Sequence, residues 1–192
     1  MLKVGITGGI GSGKTTVCRI FESLGIPVYY SDLEARNLID KDDTIISQIK
    51  TLFGANSYAY GKLNRPFISN IVFKDKQKLD QLNKITHPAV ALHFKKWYQQ
   101  QTAPYILKEA AILFESGAYK TVDKIITVTA PIEIRVKRVI ERDGISKEEI
   151  LDRINNQMND AEKIARANEV IYADDTHLVI PQILEIDKRL RI

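Results

Sequence analysis

The run Gly8-Gly9-Ile10-Gly11-Ser12-Gly13-Lys14-Thr15-Thr16 follows an apolar stretch at 2–7 and precedes a helical pattern. It fits the spacing G-x-x-x-x-G-K-[ST] without a gap. Strand, glycine-rich loop and helix in that order constrain the chain to an α/β fold whose first turn is an anion cradle. Gly8, Gly9, Gly11 and Gly13 carry no side-chain bulk, so successive backbone N–H groups are expected to turn inward around phosphate oxygens. Lys14 then reaches β- and γ-phosphates, the Thr15 hydroxyl is placed to ligate Mg²⁺, and the helix directs its positive end at the same charge. Val17, Ile20, Phe21 and Leu24 keep helical spacing after the loop, before Gly25 and Pro27 stop it.

Further short β-rich pieces at 28–30, 105–107, 125–129 and 170–172 alternate with helical patterns, which predicts a parallel sheet covered by helices. The stretch 31–103 exceeds a minimal crossover of roughly a dozen residues and reads as a helical insertion. A second insertion covers 131–166. There Ile132, Val136, Val139 and Ile140 form an apolar stripe, Arg142-Asp143-Gly144 ends the helix, and 146–166 reads as further exposed helix. Val179, Ile183, Ile186 and Leu190 return the last helix to the core. The expected organisation is one domain with a core (1–30, 104–130, 167–192), a helical acceptor-binding insertion (31–103) and a lid (131–166).

A phosphate loop alone does not choose among kinases, switches and motors. None of the ten glycines has Asp three places before it, and Asn83-Lys84-Ile85-Thr86 lacks the Asp of a guanine-reading N-K-x-D, which disfavours a GTPase. At 192 residues the chain is short for a motor ATPase. The net charge of +4 suits polyanionic ligands, but no aromatic platform is interleaved with the basic residues, so nucleic acid is not an expected partner. No apolar run approaches the roughly 20 residues of a membrane span, and a strand pattern begins at once, so no membrane partner and a cytoplasmic location are expected. The single cysteine, Cys18, lies on the first helix and reads as a packing residue. A small-molecule kinase of the nucleoside-monophosphate-kinase type remains.

Residues in three places have candidate chemistry. Asp32 lies just past the second strand, at the edge where open α/β sheets bind ligands; a cap for the helix beginning near Leu33 is the alternative. Glu109, ending the third strand, is a candidate for the magnesium shell or a solvated acid. Arg138 and Arg142 lie four apart on one helix, placed either to reach transferring phosphates or to pair with Glu141 or Glu149.

The opening Gly5-Ile6-Thr7-Gly8-Gly9-Ile10-Gly11-Ser12-Gly13-Lys14 is followed by Ser31-Asp32, Gly61-Lys62-Leu63-Asn64-Arg65, Ile71-Val72-Phe73 and His87-Pro88. Leu113-Phe114-Glu115 and Arg138 through Arg142-Asp143-Gly144 come next. In order and spacing these pieces resemble the dephospho-CoA kinase family over nearly the whole chain. The resemblance implies ATP-dependent phosphorylation of the ribose 3′-hydroxyl of dephospho-CoA, with Mg²⁺. It also implies that Gly8, Gly9, Gly11, Ser12, Gly13, Lys14, Thr15 and Thr16 bind ATP, and that Lys14, Asp32, Arg138 and Arg142 are catalytic. Asp32, Arg36, Arg65 and His87 would bind the acceptor, and Thr15 and Glu109 the metal. His87 has a second reading, as a cap for a helix opening at Pro88. The family usually has Asp-Val-Pro where this chain has Glu109-Ala110-Ala111, which keeps the charge and lengthens its reach. It commonly reads Ala-Asp-x-Val-Ile-x-Asn beside adenine, against Ala167-Asn168-Glu169-Val170-Ile171-Tyr172-Ala173 here, so weaker side-chain reading of the base and some use of GTP are expected. Another kinase of the same fold and a non-catalytic nucleotide-binding regulator are the competing functions.

Overall fold

The computed structural model describes residues 1–191. The chain runs β1 (Leu2–Thr7), α1 (Lys14–Ser23), β2 (Val28–Tyr30), α2 (Ser31–Lys41), α3 (Asp43–Phe53), β3 (Tyr58–Ala59), β4 (Lys62–Leu63), α4 (Arg65–Val72) and α5 (Lys76–Gln99). It continues with β5 (Tyr105–Glu109), β6 (Lys124–Thr129), α6 (Ile132–Asp143), α7 (Lys147–Asn155), α8 (Asp160–Ala165), β7 (Glu169–Tyr172) and α9 (Val179–Leu190). Two compact units result, one of residues 1–30 and 101–191, the other of 31–100. No helix among the described residues is long and apolar enough to cross a membrane.

In the first unit five parallel strands pair in the order β2-β5-β1-β6-β7. β1 sits at the centre, so the loop that follows it emerges in the middle of the carboxyl edge. One face of the sheet presents Val4, Ile6, Tyr105, Leu107, Ile126, Val128 and Ile171 to Val17, Cys18 and Phe21 of α1 and Ile183, Ile186 and Leu190 of α9. Tyr105 packs edge-on against Phe21 and donates its hydroxyl hydrogen to Asp187 at 2.6 Å, so this core leaves the phenol satisfied. Cys18 is fully buried here, and burial pushes its thiol up to about 12. On the other face Leu113, Phe114 and Ile125 form a smaller cluster. Gly5 belongs to that packing, because a Cβ there would stand 2.8 Å from Leu113 and 3.0 Å from Val122.

β5 continues from the apolar piece 105–107 through Lys108 to Glu109, the strand end expected for it, and both charged residues are buried. Lys108 is kept in the strand by a bond to the Thr121 hydroxyl at 3.1 Å, and burial, with Lys3 nearby, lowers its pKa. The segment 146–166 is two helices, α7 and α8, and it is not exposed throughout. Ile150 packs with Val136 and Val139, and Lys163 is completely buried.

The second unit has its own core of Ile45, Ile49 and Ile68, lined by Leu38, Ile39, Leu82 and Ile85. Its β3–β4 hairpin was not evident from apolar periodicity, each strand being only two residues. Tyr60 and Gly61 at the tip both have positive φ, 52° and 75°, as a two-residue hairpin turn with matching twist requires. Tyr58 anchors the hairpin through its hydroxyl to the Ile39 carbonyl at 2.7 Å, and Asp40 accepts the Leu63 N–H at 3.0 Å.

Candidate active site

The loop 8–13 joins β1 to α1, and its glycines do different jobs. A Cβ at Gly8 would strike the Val128 carbonyl and stand 2.6 Å from Ser12 Oγ. At Gly9 it would stand 2.6 Å from Arg135 Cζ, and at Gly11 2.9 Å from Arg135 Cα. Gly13 has room around it, but its φ of +91° favours glycine. Packing by Arg135 therefore accounts for two of the four glycines that the sequence pattern assigns to phosphate approach. Nor do all the N–H groups turn inward: Ile10 N–H points to Gln157 Oε1 at 3.0 Å, and Ser12 N–H closes a turn on the Gly9 carbonyl at 3.1 Å.

What remains is a helix start whose N–H groups the helix itself does not bond, with no acid of its own. Gly13 is the N-cap of α1 and supplies no side-chain cap, and the first turn, Lys14-Thr15-Thr16, contains no acid. Its N–H groups have no acceptor within the helix, and the helix dipole adds to the pull on an anion. Ser12 Oγ is buried with no hydrogen-bond partner. Lys14 is ion-paired with Glu109, and both are largely buried, their side chains 12% and 8% exposed. Glu109 thus is not a solvated surface acid; it closes β5 in register with Ile6 of β1. Thr15 and Thr16 are exposed on the first turn.

α6 buries half of its apolar stripe, Val136 and Val139. Ile132 and Ile140 are 43% and 42% exposed, and the inward positions are Arg135, Val136 and Val139. The guanidinium of Arg135 donates from Nε to the Ile10 carbonyl at 2.9 Å and from Nη1 to Asp160 at 2.9 Å. Sequence reading passed over Arg135; the signal available was a charged residue adjoining the apolar positions of an amphipathic helix. One turn on, Arg138 lies beside the loop, its Nη1 3.6 Å from where a Gly13 Cβ would be. That nitrogen is buried without a hydrogen-bond partner, while Nη2 donates to Asp175 at 2.5 Å. Arg142 instead makes a two-pronged pair with Asp143, 2.7 Å on each arm, and not with Glu141 or Glu149. This hydrogen bonding raises the Arg142 pKa and lowers that of Asp143. Asp175 has φ +65°, tolerable for Asp, in a turn that Asp174 fastens by accepting from Thr176 N–H and His177 N–H at 3.0 and 2.9 Å. Those bonds, led by the His177 N–H, hold the Asp174 carboxyl well below the usual range.

The expectation that residues 168 and 173 together face a base is corrected for Asn168. Its Oδ1 accepts the Ile125 N–H at 2.8 Å, and its N–H bonds the Ile125 carbonyl at 2.9 Å. Asn168 therefore ties the starts of β6 and β7 at the edge opposite the loop. Ala173 lies at the loop edge, buried, with its Cβ 3.5 Å from the place of a Gly13 Cβ.

The second unit carries the other four residues singled out from the sequence. Asp32 and Arg36 are exposed and one turn apart on α2; the helix starts at Ser31, so Asp32 belongs to its first turn and is not its cap. Arg65 opens α4 and reaches Asp40 at 3.4 Å. His87 is exposed in the middle of α5, which runs unbroken through Pro88, so the capping reading of His87 fails. Pro88 offers no N–H to the carbonyl of Lys84, and the neighbouring Thr86 hydroxyl bonds the Leu82 carbonyl at 3.1 Å. Packing of Leu82, Ile85 and Ala89 into the unit's core is what holds α5 together across this point.

The family model of dephospho-CoA kinase, CoaE, matches residues 2–178. The dephospho-CoA kinase of Bacteroides fragilis (strain YCH46) is 42% identical over 186 residues, covering 96% of this chain and 91% of the relative. Among solved structures, the Thermus thermophilus protein TT1252 superposes with a TM-score of 0.86 at 32% identity, over 98% of this chain and 95% of the other. The dephospho-CoA kinase of Campylobacter jejuni gives 0.71 at 25%, over 98% and 96%. With a family match over nearly the whole length, a phosphate-loop kinase fold and a cradle built as described, the chain belongs to the dephospho-CoA kinase family.

Proposed function

We propose that this chain transfers the γ-phosphoryl group of ATP to the ribose 3′-hydroxyl of dephospho-CoA, giving coenzyme A and ADP. The observation that carries the donor half is the cradle at the start of α1, with its buried, unpartnered Ser12 hydroxyl and the Lys14–Glu109 pair behind it. Gly8, Gly9, Gly11, Ser12, Gly13, Lys14, Thr15 and Thr16 form the ATP-phosphate site. Lys14 exchanges Glu109 for the β- and γ-phosphate oxygens, and Arg138 lies ready to take up charge on the transferring group. Arg142 joins by leaving Asp143, as part of a lid formed by 131–166. Asp32 orients the acceptor hydroxyl and receives its proton as the new P–O bond forms and the bond to ADP breaks. Arg36, Arg65 and His87 bind the acceptor's anionic groups.

The residues present fit Mg²⁺. No group of three or more His, Cys, Asp or Glu among the described residues could hold a metal unaided, and Thr15 and Glu109 offer hard oxygen donors beside a phosphate cradle. That is the pattern of an ion carried largely by nucleotide phosphates. Thr15 and Glu109 would hold the ion, which would supply neutralisation of phosphate charge. A cytoplasmic location and small-molecule substrates, with no nucleic acid, complete the reading.

The test is a coupled ADP-release assay with ATP, Mg²⁺ and dephospho-CoA, AMP or pantetheine as acceptor. Turnover with dephospho-CoA and little with the others is expected. Preference for AMP or pantetheine would overturn the acceptor assignment, and nucleotide binding without turnover on any acceptor would favour a regulator.

A further inference from the structure

Ile10 is gripped from every side. Its N–H donates to Gln157 Oε1 at 3.0 Å, its carbonyl accepts from Arg135 Nε at 2.9 Å, and its side chain packs with Val136 and Val139. The partners are themselves fixed. Arg135 is 5% exposed, with its guanidinium against Gly9 and its backbone against Gly11, and its Nη1 bonds Asp160. Four consecutive residues anchor the far side: Gln157 to Ile10, Met158 N–H to Glu115 at 2.8 Å, Asn159 as the cap of α8, and Asp160 to both Arg135 and the Thr129 hydroxyl. Residues 157–160 thus help to fix the Gly9–Ile10 peptide of the first loop directly, and the Ile10–Gly11 peptide through Arg135.

We propose that Arg135 and Gln157 are positioning residues of the donor site, which hold the two peptides flanking Ile10 in their present orientations so that the loop has its phosphate-binding shape before ATP arrives. The inference rests on the donor-site reading above. Physically, the N–H and the carbonyl of Ile10 belong to successive peptides, each satisfied in its present orientation, and flipping either one leaves a partly buried group unpaired. Releasing one arm lets the loop populate shapes that do not bind. Apparent affinity then falls by the fraction of molecules still competent, while those that do bind ATP react normally. A residue that merely stabilised the fold would lower the unfolding midpoint without that split.

The experiment compares Gln157→Leu with Gln157→Glu, which keeps an acceptor oxygen, and with Arg135→Lys, whose single ammonium cannot span Ile10 and Asp160. ATP Kd by calorimetry, KM and kcat with dephospho-CoA, and urea midpoints are measured for each. For Gln157→Leu we expect Kd and KM for ATP to rise about tenfold, equivalent to about 1.4 kcal/mol, with kcat within about twofold of wild type. Gln157→Glu should recover most of the loss, and Arg135→Lys should move in the direction of Gln157→Leu. A wild-type Kd in folded Gln157→Leu and Arg135→Lys, or a Gln157→Glu protein as weak as Gln157→Leu, would overturn the proposal. If the wild-type protein binds ATP but does not phosphorylate dephospho-CoA, the acceptor reading fails, and Kd alone still decides the role of the clasp.

Discussion

Glu115 and Lys163 form an asymmetric pair whose two halves should respond differently to removal. Their charged atoms are 3.4 Å apart, Lys163 is 0% exposed and Glu115 23%. Lys163 Nζ has no hydrogen-bond partner, so the carboxylate is its compensation for lost water. Glu115 also accepts the Met158 N–H at 2.8 Å and keeps partial contact with solvent. Glu115→Gln preserves shape and acceptor but strands the ammonium, which costs about 3–5 kcal/mol where a buried charge loses its partner. Lys163→Met removes the buried charge and leaves Glu115 with an N–H and some water, for a loss of about 1 kcal/mol or less. The double variant should resemble Lys163→Met. Urea midpoints at neutral pH measure all three against wild type.

The pH dependence gives a second test of this pair. Burial pushes the Glu115 carboxyl up, but its own N–H, that of Met158 and Lys163 outweigh burial and hold it below the usual range. Its contribution is therefore complete above the ordinary carboxyl value of about 4.3. It is lost as pH falls through the lower folded-state value. Glu115→Gln should flatten the acid limb of the stability profile. If Lys163→Met proves as damaging as Glu115→Gln, the compensation argument is wrong.

Lys14→Ala should reduce kcat by about two or three orders of magnitude and, because Glu109 loses its partner, also lower the melting temperature while the circular dichroism of the folded state persists. Asp32→Asn should leave ATP Kd unchanged and lower transfer to the 3′-hydroxyl by roughly two orders of magnitude; calorimetry and single-turnover assays separate the two. Arg138→Ala should cost about 100-fold in kcat/KM and Arg142→Ala distinctly less, since only Arg138 lies beside Gly13 in the structure; equal losses would show that Arg142 leaves Asp143 for the reaction. Ala173→Asn, next to Gly13, should raise the ATP-to-GTP ratio of kcat/KM, whereas Asn168→Asp should leave it alone because that side chain is committed to Ile125.

The inner strands were legible because a strand covered on both faces reads as a largely apolar run, as 105–107 and 125–129 do. Legibility failed where a charge is buried by a partner distant in sequence. Glu109 was expected at the end of its strand, but the burial of Lys108 and Glu109 depends on Thr121 and Lys14, and no local pattern contains those partners. The same holds for Lys163 and for Arg135, whose Asp160 lies 25 residues on. Pro88 misled in the other direction: local rules favour a helix start there, and tertiary packing carries α5 through it. Asn168 was misplaced because a motif gives order along the chain but not the sheet edge at which a side chain ends up. The strand–loop–helix order around the loop was legible, while the packing of Gly9 and Gly11 and the outward bond of the Ile10 N–H became visible only with Arg135 and Gln157 in place.

The burial of Cys18 makes the protein its own reporter. With a pKa of about 12, the only thiol in the chain is almost wholly protonated near neutral pH and sealed between α1 and the sheet. A thiol reagent can modify it only after α1 lifts from β1, the motion that would dismantle the phosphate cradle. The labelling rate is thus a stopwatch for that opening, read without engineering the chain, and its slowing by added nucleotide would measure how firmly an occupied loop keeps its helix in place.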